Sequence, residues 1–170
     1  MREAQSMVAT QLDNVGIATI IDIGEAKDIH SKDKQGVGYR LGQSTLNIAY
    51  NENVLASGPT YKSMKIKGNK IVLSFENMAK GLKARDGILK GFAIAGKDQK
   101  FVWANAEIKF KNKVIVWKSA VSNPIAVRYS WANNPSSTLY NSQGGGLKMD
   151  LCVPVFYQSQ PSLRFPIPHR

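Results

Sequence analysis

The hydrophobic period of the chain changes at Ser57-Gly58-Pro59, and this change restricts the available folds more than any other feature. Before it, apolar residues form one long run and then recur at helical spacing. After it, they fall into short alternating segments separated by turn residues. A chain that switches period in this way has to build two kinds of structure. Its 170 residues are 43% hydrophobic, enough to bury a core, so a folded chain is expected.

Upstream of the switch, Arg2 to Gln11 reads as a short, weakly amphipathic helix. Val15-Gly-Ile-Ala-Thr-Ile-Ile-Asp-Ile23 is nearly continuous in β-branched residues. That pattern predicts a strand buried on both faces of a parallel sheet. Gly24 ends it, Glu25 to Ser31 is a polar loop, and Lys34 to Tyr50 places Val37, Leu41, Leu46, Ile48 and Ala49 along a helix. Ser31 or Asp33 is its expected cap. Strand, loop and helix together read as the last unit of an α/β fold. Ligands in such folds bind beyond the C-terminal ends of the strands, which directs attention to the loop after Ile23.

Downstream, the expected strands are Tyr61 to Ile66, Ile71 to Phe75, Ile88 to Ile94, Phe101 to Phe110, Val114 to Trp117 and Ala126 to Trp131. Turns are expected at Lys67-Gly68-Asn69, Gly96-Lys97-Asp98 and Lys111-Asn112-Lys113. Short strands at this spacing predict an antiparallel β-sandwich-like domain. The expected organisation is therefore an α/β remnant over residues 1–57, a β-sandwich-like domain over 58–145, and an irregular Pro-rich tail over 146–170.

The formal charge is +11, from 23 Lys and Arg against 12 Asp and Glu, which favours anionic partners. The lysines of Lys62 to Lys70 and Lys109 to Lys118 alternate with apolar residues, as on a strand with one solvated face. No nucleic-acid recognition motif accompanies them, so nucleic acid is not the expected partner. Cys152 is the single cysteine, which excludes an internal disulfide and a multi-cysteine metal site. Met1 to Asn14 lacks an apolar run of signal-peptide length, and Val15 to Ile23 is too short to span a bilayer. Membrane insertion is not expected.

Asp28-Ile29-His30 lies in the polar loop. In extended backbone the two polar side chains project to one side and Ile29 to the other. A carboxylate on one imidazole nitrogen fixes the tautomer and stabilises the imidazolium, which lets the other nitrogen take a proton from a hydroxyl. A surface pair or a helix cap explains the same spacing. Asp22 and Glu25 are alternative acids, although Asp22 falls within the strand pattern. Ser44, in Gly42-Gln43-Ser44, sits in a predicted helix and not on the turn a nucleophile needs. His169 is near the chain end and is expected to be solvent-exposed. Trp103, Trp117 and Trp131 read as a sugar-stacking platform or as sandwich core, and core is favoured at strand positions.

Ile20-Ile-Asp-Ile-Gly-Glu25, Lys27-Asp-Ile-His30, Lys34-Gln35, Val37-Gly38 and Arg40-Leu41 resemble, in order and spacing, the final hydrolase block of the sialate O-acetylesterases, an SGNH-like hydrolase family. The resemblance continues through Ser57-Gly-Pro59, Tyr61, Gly91-Phe92, Ile94-Ala95-Gly96, Val127-Arg128-Tyr129, Trp131-Ala132, Asn134-Pro135 and Leu139-Tyr140-Asn141, and covers roughly residues 1–145. It implies a serine carbohydrate esterase that removes O-acetyl groups from sialic acid or a related sugar, without a cofactor. It also implies His30 as proton relay, Asp28 as its orienting acid, and a secreted, periplasmic or lysosomal setting.

Three departures qualify that expectation. Ser31 stands where the family usually has Pro, a change that is chemically neutral because both residues start helices. The family's nucleophile and oxyanion-hole blocks lie upstream of the part represented here, so the resemblance implies the C-terminal part of an enzyme, inactive alone. After Gln143-Gly144 the chain leaves the family pattern and runs on into the Pro-rich tail. The competing expectation is a non-catalytic carbohydrate-binding or structural β-domain.

Overall fold

In the computed structural model, residues 2–142 are described. Two helices come first, α1 (Arg2–Gln11) and α2 (Lys34–Ala49). Nine strands follow: β1 (Thr60–Lys67), β2 (Lys70–Glu76), β3 (Leu82–Ala84), β4 (Phe92–Ala95), β5 (Val102–Trp103), β6 (Asn105–Lys109), β7 (Lys113–Trp117), β8 (Ala126–Tyr129) and β9 (Leu139–Asn141). The switch of period at residues 57–59 thus coincides with the change from helix to sheet.

All strand pairs are antiparallel. One sheet has the order β1-β2-β7-β6, a second β5-β4-β8, and β3 pairs with β9. The alternation in β2 turns Ile71, Leu73 and Phe75 inward, and β7 adds Val114 and Val116. These pack with Leu82, Phe92, Ile94, Val127, Tyr129 and Leu139 from the other two sheets into one apolar core. The β1–β2 hairpin turns at Gly68 and Asn69, where Gly68 has φ 57° and avoids the Cβ clash of the left-handed region. The lysines of β1 and β6 stay on the solvated side: Lys62 reaches Glu76 at 3.3 Å and Lys109 reaches Glu107 at 2.6 Å. Charged side chains on these two edge strands also oppose pairing with other chains.

The expected parallel strand over Val15 to Ile23 does not form. Residues 15–20 have no regular structure, and the Ile23 N–H donates to Ile20 O at 3.2 Å in a turn. A strand needs a neighbour to take its backbone groups, and this segment meets side chains of α2 instead. Arg40 donates to Thr19 O at 2.7 Å, and Gly16 packs so closely on Ser44 and Ile48 that a Cβ there would overlap both. The segment is still not detached. Ile21 packs against the core, and the Tyr140 hydroxyl of β9 donates to Asp22 Oδ2 at 3.4 Å.

Other expectations shift for local reasons. The strand expected over Ile88 to Ile94 begins only at Phe92, because Arg85–Gly87 forms a 3₁₀ turn and Gly91 has φ 87°. Phe101 to Phe110 divides at Ala104, whose N–H donates to Phe92 O, so β5 joins one sheet and β6 another. The strand expected to run to Trp131 ends at Tyr129, and Ser130 takes φ 52°. Strands β3 and β9 were not anticipated, being only three residues long each. The 146–170 tail and His169 lie outside the described residues.

Candidate active site

Helix α2 fixes the loop that carries Asp28 and His30. Asp33 caps it, accepting from the Gly36 N–H at 2.7 Å, so of the two expected caps Asp33 is the one used. Ser31 closes the loop instead: its hydroxyl donates to Ile23 O at 2.6 Å. This bond pins the two ends of the polar segment Gly24 to His30 and turns the intervening side chains outward.

Within the loop, Asp28 Oδ1 accepts from the His30 backbone N–H at 2.9 Å and lies 3.0 Å from His30 Nδ1. Both side chains are exposed, 75% for His30 and 53% for Asp28. The His30 backbone N–H, and after it the His30 ring, hold the Asp28 carboxyl below the usual carboxylate range against a small opposing effect of burial. With its proton on Nδ1, His30 donates to the carboxylate, and Nε2 is then the basic nitrogen. Chemically this is a carboxylate-oriented imidazole, the arrangement that passes a proton between a hydroxyl and a leaving group.

Asp22 has a different position. Its side chain is fully buried and receives both ends of the Arg40 guanidinium, at 2.7 Å on Oδ1 and 2.8 Å on Oδ2. It braces the turn before Gly24 and is remote in role from His30. Glu25 is exposed and pairs loosely with Lys32 at 3.9 Å. Ser44 is buried on α2 beneath Gly16, so it lacks the open approach a nucleophile requires. Among the described residues no group of three or more His, Cys, Asp and Glu is placed to hold a metal ion, and no helix is long and apolar enough to cross a membrane.

The tryptophans depart from the favoured expectation of core. Trp103 is 64% exposed and Trp131 45%, whereas the half-buried Trp117 carries the Lys70 ammonium over its ring at 5.4 Å. Trp103 and Trp131 line a groove with Gly91, Ala93, Phe101, Val102 and Arg128. Arg40 and Tyr140, which build the Asp22 network, had stood out in the sequence only as parts of the family pattern. A buried acid inside an apolar run is the signal that calls for such a cation.

No family model matches the chain. No curated protein matches it either. Among solved structures, it is similar to a carbohydrate acetylesterase from Xanthomonas citri, with 39% sequence identity and a TM-score of 0.82. The match covers 93% of this chain but 35% of that one, so the chain spans about a third of the enzyme it resembles. The likeness supports a carbohydrate esterase relationship and does not single out sialic acid.

Proposed function

We propose that this chain contributes the His–Asp half of a serine carbohydrate acetylesterase site, with His30 as proton relay and Asp28 as its orienting acid. The observation that carries the reading is the Asp28–His30 hydrogen bond at 3.0 Å, held on a loop pinned by Ser31 and Asp33. The likeness to a carbohydrate acetylesterase over 93% of the chain supports it. In this reading residues 1–57 are the end of an SGNH-type hydrolase domain and residues 58–145 a β-sandwich-like companion. The substrate is an O-acetylated sugar, of which O-acetylated sialic acid is one member.

The reaction follows from the pair. A serine hydroxyl attacks the acetyl carbonyl while His30 Nε2 takes its proton, then returns that proton to the departing sugar oxygen. Water cleaves the acetyl-serine by the same relay, releasing acetate. The serine and the oxyanion donors come from sequence beyond these 170 residues. Ile29 in the loop at 95%, Leu12 after α1 at 58% and Leu41 on α2 at 53% are exposed apolar side chains that further protein could cover.

Acetate release tests the reading in two preparations. The 170-residue chain alone should match its His30→Ala variant on an acetylated sugar. A chimera in which the chain replaces the matching part of the Xanthomonas enzyme should turn the same ester over. Serine-dependent turnover by the chain alone, with label at Ser44, would contradict it, as would a folded chimera that is inert.

A further inference from the structure

We propose that the groove on the β5-β4-β8 sheet binds a sugar ring that carries a carboxylate, independently of the esterase reading. The groove follows from strand register. Ala93 pairs with Trp103 on one side and with Arg128 on the other, so Trp103, Ala93 and Arg128 form one rung across three strands. Directly opposed residues project to the same face, here the face away from the core that receives Phe92, Ile94, Val127 and Tyr129. Gly91, just before β4, and Phe101, just before β5, line the same groove. The centre is therefore floored by a methyl group and a glycine, while its sides are an indole and a guanidinium. The resulting volume is about 410 Å³, within the range of small-molecule sites.

The chemistry of the walls selects the occupant. Arg128 lies over two aromatic rings, with its guanidinium carbon 3.9 Å from the Phe101 ring centre and 5.2 Å from that of Trp131. A guanidinium held over aromatic rings by cation–π attraction can still donate its N–H groups to a ligand. Its Nε is buried, has no acceptor among the described residues and is out of reach of a groove occupant, which leaves recognition to the terminal Nη groups. No described carboxylate forms an ion pair with it, so the cation is not neutralised from within. A planar cation held this way matches a carboxylate by charge and by its paired N–H geometry. Trp103, at 64% exposure, offers an apolar face to the C–H side of a pyranose ring. Gly91 cannot be enlarged to close the groove, because a Cβ there would lie 2.4 Å from Ser136 O at φ 87°.

Titration of the 170-residue chain, followed by amide and indole resonances, tests this with methyl glucuronoside, methyl glucoside and acetate as probes. The glucuronoside should shift Gly91 and the indoles of Trp103 and Trp131, and bind at least about tenfold more tightly than the glucoside. Added salt should weaken it. Ala93→Leu, which fills the floor without altering charge, should abolish the shifts, as should Trp103→Ala on its exposed strand, both at an unchanged thermal midpoint. Equal affinity for the glucoside would overturn the carboxylate, and equal shifts from acetate would overturn the sugar. Binding that survives Ala93→Leu and Trp103→Ala, or no shift at about 50 mM glucuronoside, would overturn the site.

Discussion

Asp22 and Asp28 lie six residues apart, both near His30 in sequence, and the fold assigns them unlike tasks. What separates them is Arg40, eighteen residues beyond Asp22, which no local spacing could reveal. Removing one partner from a buried pair leaves the other charge unpaired, so Asp22→Asn should cost about 3–5 kcal/mol, read as a lower denaturation midpoint. Asp28 is exposed, and its prediction concerns protons. Its carboxyl titrates below the usual range because the charged form accepts two N–H groups of His30. A depressed carboxylate stabilises the loop above its unfolded value, and that contribution is lost as pH falls through the folded value. His30→Ala should raise the Asp28 midpoint only partly, since the larger cause is the backbone N–H, while His30→Pro should raise it further. Carbon-detected titration of Asp28 reads both; an unchanged midpoint in His30→Pro would refute the assignment of cause.

Among the elements, α2 and the inner strands were legible because hydrophobic period and capping residues are local properties. The Val15 to Ile23 run departs from the expected strand for the opposite reason: β-branched composition records burial, whereas a strand also requires a partner along its edge. Here burial comes from Gly16 against α2 and Ile21 against the core, with the backbone served by Arg40. Hydrogen exchange should accordingly be much faster at Ile17 to Ile20 than at Ile71 to Phe75, since no ladder protects the former. Equal protection would mean that the segment pairs in solution. Strand β9 escaped notice because three residues carry no period. It is held instead by Tyr129, whose hydroxyl oxygen accepts the N–H groups of Thr138 at 2.9 Å and Leu139 at 2.7 Å. Tyr129→Phe should cost about 1–3 kcal/mol by stranding those donors, and an unchanged thermal midpoint would show that water replaces the hydroxyl.

For the whole molecule, apolar side chains remain exposed in both the helical and the β regions. The β region buries Phe75, Phe92, Tyr129 and Tyr140 and still exposes Trp103 and Phe110, while the segment before it leaves Ile29, Leu12 and Leu41 in water. The Asp28–His30 pair could be picked out in the sequence because a spacing of two suffices, although the contact is made through a bend at Ile29 and His30 in which Asp28 accepts the His30 backbone N–H, and not through extended backbone. The Trp103–Ala93–Arg128 rung could not, since it depends on how three strands pair. In the proposed mechanism His30, oriented by Asp28, relays the proton in acetyl-ester cleavage. The most direct measurement is kcat for acetate release by the Xanthomonas chimera carrying His30→Ala, beside the unaltered chimera and at matched thermal midpoints. His30→Ala should lower kcat about 10³-fold or more, and turnover near that of the unaltered chimera would contradict the relay role.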